Sequence, residues 1–161
     1  MLSEAQQQRV WEGMLSAEIR ANYFADLSGQ FYSRQRWATW ASFVFSSGAL
    51  VSLLASLPEQ YLWIRPALVF PTALLSAYSV VMQNQKFAVD SSDLHARWNR
   101  LAKEYEAVWE NVYADDALER LNALEDRATD LSKAGAPFKY DKSRMLKWKE
   151  HVLAHRLAHA S

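Results

Sequence analysis

The sequence predicts an all-α protein in which a two-helix transmembrane hairpin is continuous with a cytoplasmic antiparallel helical stalk and is followed by a C-terminal helix. Three observations predict it. Residues 37–58 carry no ionisable side chain and residues 66–85 carry no charge. On both sides of them apolar residues recur at steps of three and four, the period of one helix face. Helix breakers are confined to a few positions, of which Gly135-Ala136-Pro137 is the clearest.

Residues 1–36 are expected to form a cytoplasmic N-terminal helix. From Ser3 to Arg36 there is no proline, and Val10, Met14, Ala17, Ala21, Phe24 and Phe31 mark one apolar face. The first membrane helix is expected over residues 37–58, WATWASFVFSSGALVSLLASLP. A helix needs roughly 20 such residues to cross about 30 Å of hydrocarbon. Residues 59–65 form a short extracytoplasmic loop in which Glu59, Gln60 and Arg65 are the polar interruptions, with Pro58 and Pro66 at the helix ends. The second span covers residues 66–85, PALVFPTALLSAYSVVMQNQ, and Tyr61, Leu62, Trp63 and Ile64 extend it at the front. Its alternative is a buried helical pair inside a soluble bundle, since serines dilute the first run.

Trp37, Trp40, Tyr61 and Trp63 fall at the span ends, where amphipathic rings favour the headgroup level, and are expected to form an interface belt. Arg20, Arg34 and Arg36 precede the first span and Lys86, Arg97, Arg100 and Lys103 follow the second, whereas the loop has Arg65 alone. The positive-inside rule then places both termini in the cytoplasm. A signal peptide is not expected, because a long charged stretch precedes the first apolar run.

Gly48, Ser52 and Ser56 recur every fourth residue, as do Ala73 and Ala77, and such small-residue stripes let helix backbones approach closely in lipid. A second reading has Ser42, Ser46, Thr72, Ser76 and Ser79 line a water path in an oligomer. Either use requires neighbouring copies, since two helices do not enclose a channel.

Residues 86–134 are expected to form the cytoplasmic helical region. Leu94, Trp98, Leu101, Tyr105, Val108 and Val112 alternate steps of four and three, a heptad seam able to pair within a chain or between chains. Because the flanking helices leave one hairpin side by side, they are expected to run antiparallel. About 30 residues at ~1.5 Å each would project roughly 45 Å from the membrane. The pattern stumbles at Ala114-Asp115-Asp116 and resumes at Leu118, Leu121, Leu124 and Leu131. After the Gly135-Ala136-Pro137 stop, Asp141 or Ser143 caps a C-terminal amphipathic helix within residues 138–161, carrying Met145, Leu146, Trp148, Val152, Leu153, Arg156 and Leu157.

Several functions are disfavoured. Lys+Arg 18 against Asp+Glu 18 gives no net charge, so direct nucleic-acid binding is not expected. With no cysteine there is no disulfide or thiolate chemistry. The carboxylates Glu104, Glu106, Glu110, Asp115, Asp116, Glu119, Glu125 and Asp126 interleave with Arg and Lys as a solvated helix face does. No catalytic set and no cofactor site is expected. His151, His155 and His159 lie four apart on the last helix and are the weak metal-ligand candidates, with a solvated polar face as the alternative. His95 stands apart from them.

The layout of one cytoplasmic helix, two spans with a minimal loop and a longer helical region resembles the SLATT superfamily of two-transmembrane effector domains. Locally the resemblance rests on residues 21–37, with Tyr32-Ser33-Arg34 ahead of the span, and on Asp93-Leu94-His95-Ala96 through Tyr105 after it. It implies a homo-oligomeric effector of bacterial anti-phage conflict systems at the inner membrane. Such a protein is expected to form a pore or disrupt the bilayer when triggered by a sensor or signalling protein, or through a nucleotide-signal pathway. The competing expectation is a non-conducting membrane adaptor that docks a soluble partner through its cytoplasmic helices.

Overall fold

The computed structural model describes residues 1–46, 74 and 84–160. Among them it has four helices and no strand: α1 (Glu4–Ser46), α2 (Asn84–Glu110), α3 (Ala117–Ala134) and α4 (Lys142–Ala160). The chain divides into two compact units, Met1–Ser28 with Asp90–Ser161, and Gly29–Val89. Most of both charge-free stretches and the whole 59–65 loop lie outside the described residues. No helix among the described residues is long and apolar enough to cross a membrane.

Each helix of the first unit starts and stops for a local reason. At the head of α1, Ser3 N–H donates to Gln6 Oε1 at 2.8 Å while Gln6 N–H faces Ser3 Oγ at 3.4 Å, a reciprocal capping box. Leu2 N–H donates to the Val112 carbonyl at 2.9 Å, which ties the N-terminus to the turn after α2. That turn, residues 111–116, is closed by bonds from Asn111 N–H to Val108, Ala114 N–H to Asn111 and Ala117 N–H to Ala114. Val112 therefore lies in the turn, beyond the end of α2, and its backbone rather than its heptad position does the tethering. Asp141 caps α4, its Oδ1 accepting from Arg144 N–H at 3.1 Å. Gly135 ends α3 with φ −78°, a right-handed conformation open to any residue. Space is what selects glycine there, since a Cβ would meet Phe24 Cζ at 3.1 Å.

Within the first unit the four helices form an up-down bundle. Val10, Met14, Ala17, Ala21 and Phe24 of α1 and Leu94, Trp98, Leu101, Tyr105 and Val108 of α2 are all buried. The pairing is antiparallel within one chain: Trp11 meets Trp109 with ring centroids 5.5 Å apart, and His95 Nδ1 lies 2.8 Å from the Ala21 carbonyl oxygen. Burying such side chains stabilises by about 1.5–3 kcal/mol each. From α3, Leu121, Leu124 and Leu131 complete the core, whereas Leu118 is exposed. Val152 is the buried aliphatic of α4.

In the second unit, Phe31 stacks on Phe87 with centroids 5.5 Å apart, and Ala38, Asn84 and Ala88 are buried. One face of α1 is thereby turned inward there.

Gly13 sets how closely α1 and α2 approach. A Cβ at Gly13 would lie 2.6 Å from Tyr105 Cε1, clashing with a ring that is itself buried, whereas a Cβ at Gly29 would meet nothing within 4 Å. Gly-to-Ala in a helix is favourable by about 1 kcal/mol and overpacking costs about 1–3 kcal/mol. Thermal unfolding followed by circular dichroism is expected to show a raised midpoint for Gly29→Ala and a lowered one for Gly13→Ala. Equal shifts would remove the packing explanation.

Tyr105 also carries a pH dependence. Its phenol is pushed up to about 12, first by burial, then by the Glu125 carboxylate, with Arg9 opposing. The unfolded chain loses this proton first, near pH ~10, so the stability from Tyr105 is complete below that and fades as pH rises through about 12. Denaturation midpoints are expected to decline over that window, and Tyr105→Phe to make the decline shallower.

Candidate functional site

Residues 37–44 of α1, in the second unit, gather large apolar side chains on the solvent side of the helix. Trp37 is 72% exposed, Trp40 60%, Phe43 66% and Val44 50%, while Ala38 on the opposite side is only 6% exposed. Trp37, Trp40, Ala41 and Val44 fall at i, i+3, i+4 and i+7, one helix face, and with Arg36 they line a shallow depression of about 480 Å³. The Trp40 and Phe43 rings meet edge to face with centroids 6.3 Å apart. Immediately before them, Arg34 and Arg36 are exposed. A helix that is apolar on its outward as well as its inward side is the kind found inside a core or in a membrane. Water alone is a poor neighbour for so many exposed rings.

Of the belt expected from sequence, Trp37 and Trp40 are thus brought together on one face, and Tyr61 and Trp63 lie outside the described residues. Among the small residues expected to pack or line a pore, Ser42 is half-buried. Ser46 closes α1, its side chain beyond description, and Gly48, Ser52, Ser56, Thr72, Ala73, Ser76, Ala77 and Ser79 lie outside the described residues. The stalk seam is placed with Leu94, Trp98, Leu101, Tyr105 and Val108 inward and Val112 in the turn. His151 and His155 are exposed on α4, the His151 ring packing edge-on against Trp148 at 5.3 Å, and the side chain of His159 is not described. No group of three metal-ligating side chains occurs among the described residues.

Cross-helix ion pairs are what a reading along the sequence misses. Glu125 of α3 pairs with Arg9 of α1, and Glu104 of α2 pairs with Arg127 of α3. Arg156 of α4 reaches both Glu18 of α1 at 3.0 Å and Glu106 of α2 at 2.9 Å. Burial alone would lower the Arg156 pKa, but the hydrogen bonds it donates to Glu106 and Glu18, with their charges, outweigh it and the guanidinium pKa is raised. At the other end of α4, Asp26 of α1 receives Arg144 at 3.5 Å and the Trp148 indole N–H at 3.4 Å. Five of the carboxylates on these helices, Glu18, Asp26, Glu104, Glu106 and Glu125, therefore fasten neighbours rather than only facing water. Each partner is distant in sequence, so no local spacing announces the pairs.

Comparison with protein families, curated proteins and solved structures gave no match.

The double contact of Arg156 makes it a clasp for α4. Partly exposed charged pairs contribute about 0.2–1 kcal/mol each. Arg156→Ala is expected to speed amide hydrogen exchange across α4 by about fivefold, the equivalent of roughly 1 kcal/mol, and to leave α1 and α2 amides unchanged. Uniform acceleration through all four helices would show that the bundle opens as one body instead.

Proposed function

We propose that the chain is an oligomeric membrane effector of bacterial anti-phage defence, pore-forming or membrane-disrupting, and triggered by an upstream sensor. Residues 37–58 and 66–85 cross the inner membrane, both termini remain cytoplasmic, and the four-helix unit is the cytoplasmic part. The observation that carries the reading is the exposed Trp37, Trp40, Phe43 and Val44 at the point where charge disappears from the sequence. Arginines on the polar side and tryptophans at the boundary are the order that a bilayer surface selects. The SLATT-like layout supplies the class of effector and its setting.

Several hairpins must assemble, and the stripe Gly48, Ser52 and Ser56 supplies the close approach. On expression in cells the membrane potential is expected to collapse, as read by a voltage-sensitive dye. Gly48→Leu and Ser52→Leu are expected to abolish the collapse and the accompanying toxicity while the protein still fractionates with membranes. Full toxicity at an unchanged potential would refute the pore.

A non-conducting adaptor is the second reading. It is favoured by Leu146, Leu153 and Leu157, spaced seven and four along α4, of which Leu146 and Leu157 are exposed and Leu153 is half-buried. In that case toxicity follows Leu157→Glu and is indifferent to Gly48→Leu.

A further inference from the structure

The cytoplasmic unit contains a cleft of about 300 Å³ that the membrane reading does not use. It opens among the four helices and the segment leading into α4, and its walls include Arg20, Tyr23, Phe24, Trp98, Ser132 and Tyr140. Arg20 is the one charged residue among the cleft's walls. Its guanidinium lies 4.7 Å from the centre of the Trp98 ring and donates to the Ser132 hydroxyl. Among the described residues no carboxylate pairs with it, although Arg9, Arg127, Arg144 and Arg156 each have one.

That contrast has physical weight. A half-buried arginine loses hydration, keeps its charge, and is ordinarily compensated by an anion. Here burial lowers its pKa and no carboxylate offsets the effect. Trp98, a residue of the same wall, is 2% exposed, and its buried indole N–H has no acceptor. Tyr23 is already engaged, donating to the Lys139 carbonyl at 3.3 Å and accepting from Asp141 N–H at 3.2 Å, so it braces the α3–α4 segment. The remaining wall is aromatic, with Phe24 and Phe138 edge to face at 5.6 Å.

We propose that this cleft binds a small aromatic anion, its phosphate or carboxylate held by Arg20 and Ser132 and its ring lodged among Phe24, Tyr140 and Trp98. The volume is at the lower end of ligand pockets, which fits one ring and one acidic group. A planar guanidinium fixed over an indole presents its remaining donors edgewise, the geometry for bidentate contact with an oxyanion. The inference stands on the first unit alone and does not depend on how the chain meets the membrane.

Phenyl phosphate is a suitable probe, titrated into the full-length detergent-solubilised chain by calorimetry, with inorganic phosphate and phenol as one-feature controls. Saturable binding of phenyl phosphate is expected, at least about tenfold tighter than either control. The Trp98 indole N–H resonance, assigned through Trp98→Phe, is expected to shift on binding. Arg20→Met is expected to weaken binding by about tenfold or more. If Arg20→Met does not fold, Arg20→Lys keeps the charge without the planar fork and is expected to weaken binding several-fold. No saturation up to about 10 mM phenyl phosphate would overturn the proposal. So would equal affinity for inorganic phosphate, or binding indifferent to the folded Arg20 variant.

Discussion

The contact between Gly13 and Tyr105 governs the distance between α1 and α2, and that distance decides what the rest of the four-helix unit is able to do. With no side chain on Gly13, the Tyr105 ring lies against the α1 backbone and stays buried. Trp98, nearer the start of α2, is then close enough for Arg20 to lie over its face. Leu101 and Val108 between and beyond them are fully enclosed. A wider separation would leave voids beside these rings, and a protein interior has little tolerance for voids.

Onto this pair, α3 and α4 are attached by two kinds of force with different roles. Leu121, Leu124, Leu131 and Val152 bury apolar surface, which at about 1.5–3 kcal/mol per side chain supplies most of the adhesion. The ion pairs of Arg9, Arg127 and Arg156 are partly exposed and worth far less individually. Their effect is on register. An aliphatic stripe tolerates sliding, whereas a guanidinium held by carboxylates from two helices tolerates little. For α4, with Val152 as its buried aliphatic, the balance moves toward Arg156, Arg144 and Trp148, so α4 is the element most dependent on charge.

Where structure arises from neighbours in sequence, the chain is readable. The apolar faces of α1 and α2 are periodic, and the residues that form them, from Val10 to Phe24 and from Leu94 to Val108, are inside. The end of α3 is visible in Gly135-Ala136-Pro137, yet the glycine is there for Phe24 rather than for a left-handed turn. That distinction depends on a residue more than a hundred positions away. The same holds for Glu106 and Glu125, whose alternation with basic residues suggests a solvated face and whose partners lie on other helices. Val112 continues the heptad spacing but falls in the turn beyond α2, where its carbonyl accepts from Leu2 N–H. The Arg20 cleft has no sequence signature, since its walls come from four helices and a connecting segment.

α1 unites two environments in one uninterrupted helix of 43 residues. In its first part a single stripe is apolar and α2 covers it. After Arg36 the outward face is apolar as well, through the exposed rings of Trp37, Trp40 and Phe43. Neither proline nor a helix break separates the two parts. The Arg20 cleft, the Gly13 contact and the Glu18 clasp all act on that same helix, upstream of the tryptophans. The helix thus changes what it asks of its surroundings along its length: the first part is satisfied by α2, and the part after Arg36 presents Trp37 and Trp40 outward while burying Ala38.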